Sequence, residues 1–311
     1  MTKTRASLAA LALGLATAAL AGCGSDSDGT GAETSTSTAA TGEPIVVVAS
    51  TNVWGDIAEQ VGGDAVEVTS IISSPDQDPH SFEASASNAL ILTKAQLVIE
   101  NGGGYDDFMD QLLDAHDSSA TVLNAVDISG KTAPEDGELN EHVWYDLPTA
   151  EKVADEIAAQ LGTLAPDEAD TFTANASTFK SMVDQVVSAE ADLKSKYDGE
   201  AIGITEPVPL YLTEAAGLVN KTPEEFSEAI EEGDDVSAAV LKETLDLYTN
   251  KEVAALVYNE QTSGPITEKV EKAASDAGIP VVPVTETLPD GLDYVGWMQQ
   301  NVDALGAALA K

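Results

Sequence analysis

From residue 44 onward, short apolar runs rich in β-branched residues alternate with segments whose apolar positions recur at helical spacing. Ile45 to Ala49 reads as a strand, and Asn52 to Val61 reads as a helix stopped by Gly62-Gly63. The alternation continues with a strand at Val66 to Ile72, a helix near Ala84 to Ala95, a strand at Leu97 to Ile99 and a helix near Tyr105 to His116. A further strand begins at Thr121 and covers Ala125, with its end placed near Ile128. A second set follows residue 200, with strands at Ala201 to Thr205, Val253 to Tyr258 and Val281 to Thr285, and a last helix from Tyr294 to Leu309. Strands that alternate with helices predict βαβ units around mainly parallel sheets, here in two α/β lobes.

Between the two sets lies a stretch from Pro166 to about Lys196 without glycine or internal proline. Phe172, Phe179, Val186 and Leu193 recur every seven residues, and Ala176 and Val183 fall four after the first two, so one apolar stripe runs along a single helix. About 30 residues at 1.5 Å each span roughly 45 Å, more than one lobe needs. The pattern therefore predicts a spine joining the lobes. A coiled-coil dimer is the alternative, weakened by a repeat of only about four heptads. The predicted organisation is an N-terminal lobe over residues 44–165, the spine over 166–197 and a C-terminal lobe over 198–311.

The first residues carry a different pattern. Lys3 and Arg5 precede an apolar run from Leu8 to Leu20, shorter than the roughly 20 residues that cross a bilayer, which predicts a secretory signal over residues 1–22. Leu20-Ala21-Gly22-Cys23 resembles the lipobox of bacterial lipoproteins, so Cys23, the only cysteine, is expected to become a lipid-modified N-terminus on the outer face of the cytoplasmic membrane. Residues 23–43 are Gly, Ser and Thr rich and read as a flexible tether.

The chain carries 54 acidic against 14 basic residues, a formal charge of −40, and Arg5 is its only arginine. Nucleic acid is excluded as a partner, because counterion release requires clustered Lys and Arg. With Arg5 in the predicted leader, the remaining chain has no guanidinium, which argues against phosphate or carboxylate substrates held by bidentate forks. A cation suits this balance, although most of the acids serve simply as a solvated surface.

Three histidines frame the question of a metal site. His80 follows the Val66 to Ile72 strand in Asp78-Pro79-His80-Ser81-Phe82-Glu83, and His142 lies in Glu141-His142-Val143-Trp144-Tyr145-Asp146 after a Gly/Pro/acid loop. His116 sits at a predicted helix end and reads as a surface residue. Ligands of open α/β sheets bind beyond the carboxyl ends of the strands. In the second lobe that position holds Glu206, in Thr205-Glu206-Pro207, and Glu286, in Thr285-Glu286-Thr287. Two imidazoles and two carboxylates so placed outline a divalent-cation site between the lobes. Trp144 is expected to pack behind the His142 loop, and Gly102-Gly103-Gly104 lacks the lysine of a phosphate-binding loop and reads as a turn beside the site.

These elements resemble the cluster A-I solute-binding proteins of bacterial ABC importers, which take zinc or manganese. The resemblance rests on the DPHSFE and EHVWYD segments, on Ser85 to Asn88 and on the long central helix, and it covers nearly the whole chain beyond the leader. It implies His80, His142, Glu206 and Glu286 as ligands, with Glu260 in Tyr258-Asn259-Glu260 as the rival to Glu286. It also implies an ABC permease and ATPase as partners and a monomer anchored through Cys23. The chain departs from the family in carrying Glu141 where proline usually precedes the second histidine, and in having no histidine in residues 127–141. Two imidazoles with hard carboxylates lean toward Mn²⁺, while Zn²⁺ accepts the same set in tetrahedral geometry.

Two other readings compete with the receptor. A hydrolase would use His80, His142 and one carboxylate as an open zinc site, but neither an HExxH element nor a nucleophile elbow is present. A surface adhesin would use the acidic exterior in place of a buried site.

Overall fold

The computed structural model describes residues 42–311 except 75, 76, 78, 81, 116, 117, 135 and 136. Cys23, the leader and His116 lie outside the described residues. The first lobe holds β1 (Ile45–Thr51), α1 (Asn52–Gly62), β2 (Val66–Ile72), α2 (Ala86–Leu92), β3 (Leu97–Glu100), α3 (Phe108–Ala115), β4 (Thr121–Asn124), α4 (Ala125–Ser129) and α5 (Leu147–Leu164). Next comes α6 (Ala169–Tyr197), entered through a 3₁₀ turn at Pro166–Glu168. The second lobe holds β5 (Ala201–Ile204), α7 (Leu210–Ala215), β6 (Val219–Asn220), α8 (Glu224–Glu231), α9 (Ala238–Thr249), β7 (Ala255–Asn259), α10 (Thr267–Ala277), β8 (Val281–Val284) and α11 (Tyr294–Leu309).

Each lobe is built on one four-stranded sheet, ordered β2-β1-β3-β4 in the first and β6-β5-β7-β8 in the second. Every strand pair is parallel. In both sheets the chain leaves the first strand toward one edge and returns to the other side, so each has a topological switch point beside its first strand. The inner strands are covered on both faces, which explains their unbroken apolar runs: Val47, Val48 and Ala49 in β1 are fully buried. Helix α1 lies so close on β2 that a Cβ on Gly55 would come within 2.2 Å of Ser70 Oγ.

The second lobe adds the edge strand β6 and the helices α8 and α9 to the sequence pattern, and two elements differ in the first lobe. Ile128 lies in the short helix α4 and not in a strand, because the Asn124 side chain caps a new helix by accepting from the Asp127 N–H (3.0 Å). Helix α5 was not anticipated, although Pro148 near its start and Val153, Ile157 and Leu161 along one face carry the signal for it.

Helix α6 is 29 residues long and buries Phe172, Ala176, Phe179, Val183, Val186 and Leu193 on one stripe. It packs against α1 and α5 of the first lobe and α11 of the second. As a result one continuous apolar core runs from Val47 and Ile99, through this stripe, to Val257 and Met298. Polar ties reinforce the junction. The Asn52 side chain donates to Leu288 O (2.8 Å) and accepts from Leu288 N–H (3.0 Å), Tyr145 Oη donates to Thr285 O (2.8 Å), and Tyr294 Oη donates to Trp144 O (2.5 Å).

One position on the stripe is polar. Glu190 is 4 % exposed, and burial, aided by Asp146, pushes its carboxyl up to about 8. The folded state therefore holds this proton where an unfolded glutamate, near 4.5, has released it. Its contribution to stability is full below the unfolded value and is lost as pH rises toward 8. Glu190→Gln cannot ionise, so in urea unfolding it should gain on the order of 2 kcal/mol relative to wild type between about pH 5 and pH 9. Parallel stability profiles for the two proteins would contradict this.

Candidate metal centre

The carboxyl ends of both sheets supply the polar groups of the inter-lobe cleft. His80 lies in the loop leaving β2, and His142 opens the 3₁₀ turn Val143–Tyr145 that precedes α5. The second lobe adds Glu206, two residues beyond β5, Asn259 at the end of β7, and Glu286, two residues beyond β8.

His142 is fully buried. Asn140 Oδ1 accepts both the His142 backbone N–H (3.1 Å) and the proton on Nδ1 (2.8 Å), which assigns the tautomer and leaves a lone pair on Nε2. Burial, with His80 adding to it, holds this imidazole well below the usual histidine range, so it is neutral. Asn140 is fixed in turn by the other lobe: its Nδ2 donates to Pro207 O (3.1 Å), and Tyr211 Oη donates to its carbonyl (2.6 Å). Trp144 packs on the His142 ring at 5.0 Å between centroids and Tyr105 on Trp144 at 4.6 Å, while Tyr105 also meets His80 edge-on at 5.0 Å. Trp144 thus backs the ligand loop, and Tyr105 separates the two imidazoles from the core below.

Four side chains offer ligand atoms within 4.8 Å of one another: His80, Glu141, His142 and Glu231. Nε2 of His80 lies 3.7 Å from Glu141 Oε1 and 3.9 Å from Glu231 Oε1, and Nε2 of His142 lies 3.4 Å from Glu231 Oε1. Burial raises both carboxyls well above the usual range, and at Glu231 the neighbouring Glu141, Glu206 and Glu286 raise it further. Glu206 and Glu286, each 2 % exposed, share one partner. Asn259 Nδ2 donates to Glu206 and to Glu286 Oε1 (2.7 Å). Gln261 Oε1 accepts the backbone N–H groups of Glu286 (2.7 Å) and Thr287 (2.9 Å), which holds the Glu286 loop. Glu260 is exposed, whereas Asn259 beside it is buried and bonds Glu206 and Glu286.

A cavity of about 670 Å³ opens beside His80, and seven glutamates line it: Glu138, Glu141, Glu214, Glu224, Glu228, Glu231 and Glu232. Gly103 and Gly104 form its floor with positive φ, and a Cβ on Gly103 would come within 3.1 Å of Glu141. The three-glycine segment is therefore a turn that lets the Glu141 loop approach β3.

Sequence reasoning missed Glu141, Glu231, Asn140 and Asn259. Glu141 stood beside a named histidine, and Asn259 beside a named glutamate. Glu231 has no local signal, since acids crowd the whole segment from Glu224 to Asp235.

Two parallel α/β lobes joined by one long helix, with two imidazoles and buried carboxyls between them, define a bilobal receptor for a cationic solute. The model of the family described as zinc-uptake complex component A, periplasmic, matches residues 47–308, and the chain belongs to that family. It is accordingly the solute-binding component of an ABC importer and not an enzyme. A manganese-binding lipoprotein of Bacillus subtilis is 26 % identical over 285 residues, covering 86 % of this chain and 90 % of its own. An iron ABC transporter substrate-binding lipoprotein of Streptococcus pyogenes is 25 % identical over 297 residues, covering 88 % and 91 %. The periplasmic zinc-binding protein TroA of Treponema pallidum shares the fold with a TM-score of 0.74 at 20 % identity, covering 87 % of this chain and all of its own.

The hold of Asn140 on His142 sets the availability of the Nε2 lone pair. Asn140→Ala should weaken metal binding about 10–100-fold in chelator-competition titrations, as loss of a ligand-orienting partner does. Asn140→Asp keeps the acceptor and should lose less. Equal affinity in wild type and Asn140→Ala would show that the tautomer is set elsewhere.

Proposed function

We propose that the protein captures a divalent transition metal ion, manganese or zinc, between its lobes and delivers it to an ABC permease driven by its ATPase. The observation that carries this reading is the set of ligand-sized separations among His80, His142, Glu141 and Glu231, with the buried carboxyls of Glu206 and Glu286 following strand ends of the second lobe. His80 and His142 supply the nitrogen donors, and Glu206 and Glu286 are the proposed carboxylate ligands from the second lobe. Two imidazole lone pairs and two carboxylates compensate the ion's charge, so it leaves water without an uncompensated buried charge. Relatives named for manganese and zinc support the same class of solute. A donor set this rich in carboxylates leans toward manganese.

The acidic cavity mouth raises the local concentration of cations, with seven glutamates and no lysine among the described residues of its lining. Cys23, in its lipobox, carries the lipid that anchors a monomeric receptor outside the cytoplasmic membrane. Relatives named as lipoproteins support that anchor.

Replacing His80 and His142 together by alanine should abolish tight Mn²⁺ and Zn²⁺ binding in titration calorimetry while leaving the circular dichroism spectrum unchanged. Retained tight binding in a folded double variant would refute the assignment.

A further inference from the structure

We infer that Glu231, at the end of α8, is a ligand of the captured ion, and that this extra carboxylate shifts the relative affinity of the site toward an ion of higher coordination number, such as Mn²⁺, and away from tetrahedral Zn²⁺. The inference rests on the metal-capture reading above and names a residue of the same site. Ligand atoms about 2.0–2.4 Å from one ion lie roughly 3–4.8 Å from one another. Glu231 Oε1 meets that condition against both histidines, at 3.4 Å from His142 Nε2 and 3.9 Å from His80 Nε2. His142 Nε2, fully buried and without a hydrogen-bond partner, is aimed at this oxygen.

The position of Glu231 is built into the fold. Phe226 and Ser227 bury α8, with Phe226 packed among Tyr248, Leu256 and Val270. That anchor presents the last residue of α8 to the histidines of the other lobe. The Glu231 side chain is 11 % exposed, lies at the negative end of a helix and has the Glu141 carboxyl within 4.8 Å. A carboxylate so placed is opposed by desolvation, by the helix dipole and by its neighbours, and a divalent cation removes all three costs at once.

The additional ligand has a chemical consequence. With the proposed ligands Glu206 and Glu286, two imidazoles would complete the four-coordinate shell that zinc prefers, to which a fifth oxygen adds little. Manganese takes carboxylate oxygens in five- or six-coordinate shells and gains from the fifth. Removal of Glu231 should therefore cost Mn²⁺ more than Zn²⁺.

The test compares wild type, Glu231→Gln, Glu231→Asp and the His80/His142 double alanine variant in the full folded domain. Affinities for Mn²⁺ and Zn²⁺ come from competitive titration, and Co²⁺ visible absorption reports coordination number. Glu231→Gln should lower Mn²⁺ affinity by at least about tenfold, since even outer-shell losses reach that size, with a smaller change for Zn²⁺. Its Co²⁺ bands should intensify toward the four-coordinate form, and Glu231→Asp should recover part of the Mn²⁺ affinity. Unchanged Mn²⁺ affinity and Co²⁺ bands in Glu231→Gln, or equal losses for both metals without a spectral change, would overturn the role of Glu231. In either case binding lost only in the histidine variant leaves metal capture standing, whereas binding retained there removes metal capture itself.

Discussion

The structure depends on the apolar stripe of α6. Phe172, Phe179, Val183 and Val186 belong at once to the packing of both lobes, so the two sheets share one core. Opening the lobes by a hinge would expose that stripe, and burial of each large apolar side chain is worth about 1.5–3 kcal/mol. Several such side chains lie along the spine. The cleft is therefore held near one width, and its polar groups are placed by the fold before any solute arrives. On the proposed reading, metal entry and release fall to the loops carrying Glu206 and Glu286 and to the end of α8, none of which contributes to the buried stripe of α6.

A fixed cleft makes strict demands on its polar lining. An imidazole binds a metal only through a lone pair, and at His142 that lone pair is secured by Asn140, itself gripped by Pro207 and Tyr211 of the opposite lobe. The same interactions that join the lobes thus orient a ligand. On the carboxylate side, Asn259 and Gln261 hold Glu206 and Glu286 in place by hydrogen bonds. The charge of −40 that first suggested a cation is spread mostly over the exterior, but at the cavity mouth it is gathered around a specific site.

Much of this was legible in the sequence, for physical reasons. Parallel strands buried on both faces announce themselves as apolar runs, and the heptad spacing from Phe172 to Leu193 announces a long helix with one buried stripe. His80, Glu206 and Glu286 follow strand ends, where α/β folds place ligands, whereas His142 lies in the loop between α4 and α5 and was singled out by its sequence segment. The carboxylates of Glu141 and Glu231 were not legible. Their approach to the histidines is a product of tertiary packing, of the Gly103 turn in one case and of the Phe226 anchor in the other. Ile128 was misassigned because a β-branched apolar residue after a strand looks like its continuation, and only the Asn124 cap shows that a helix has begun.

The most direct test is a pair of crystal structures of this protein, one grown with Mn²⁺ and one with chelator. The account predicts an ion bound to Nε2 of both His80 and His142 and to carboxylate oxygens of the second lobe. It also predicts lobes that superpose with shifts on the order of 1–2 Å between the two states. An ion lodged away from the histidines, or a large rotation of one lobe against the other with α6 bent or uncovered, would contradict it.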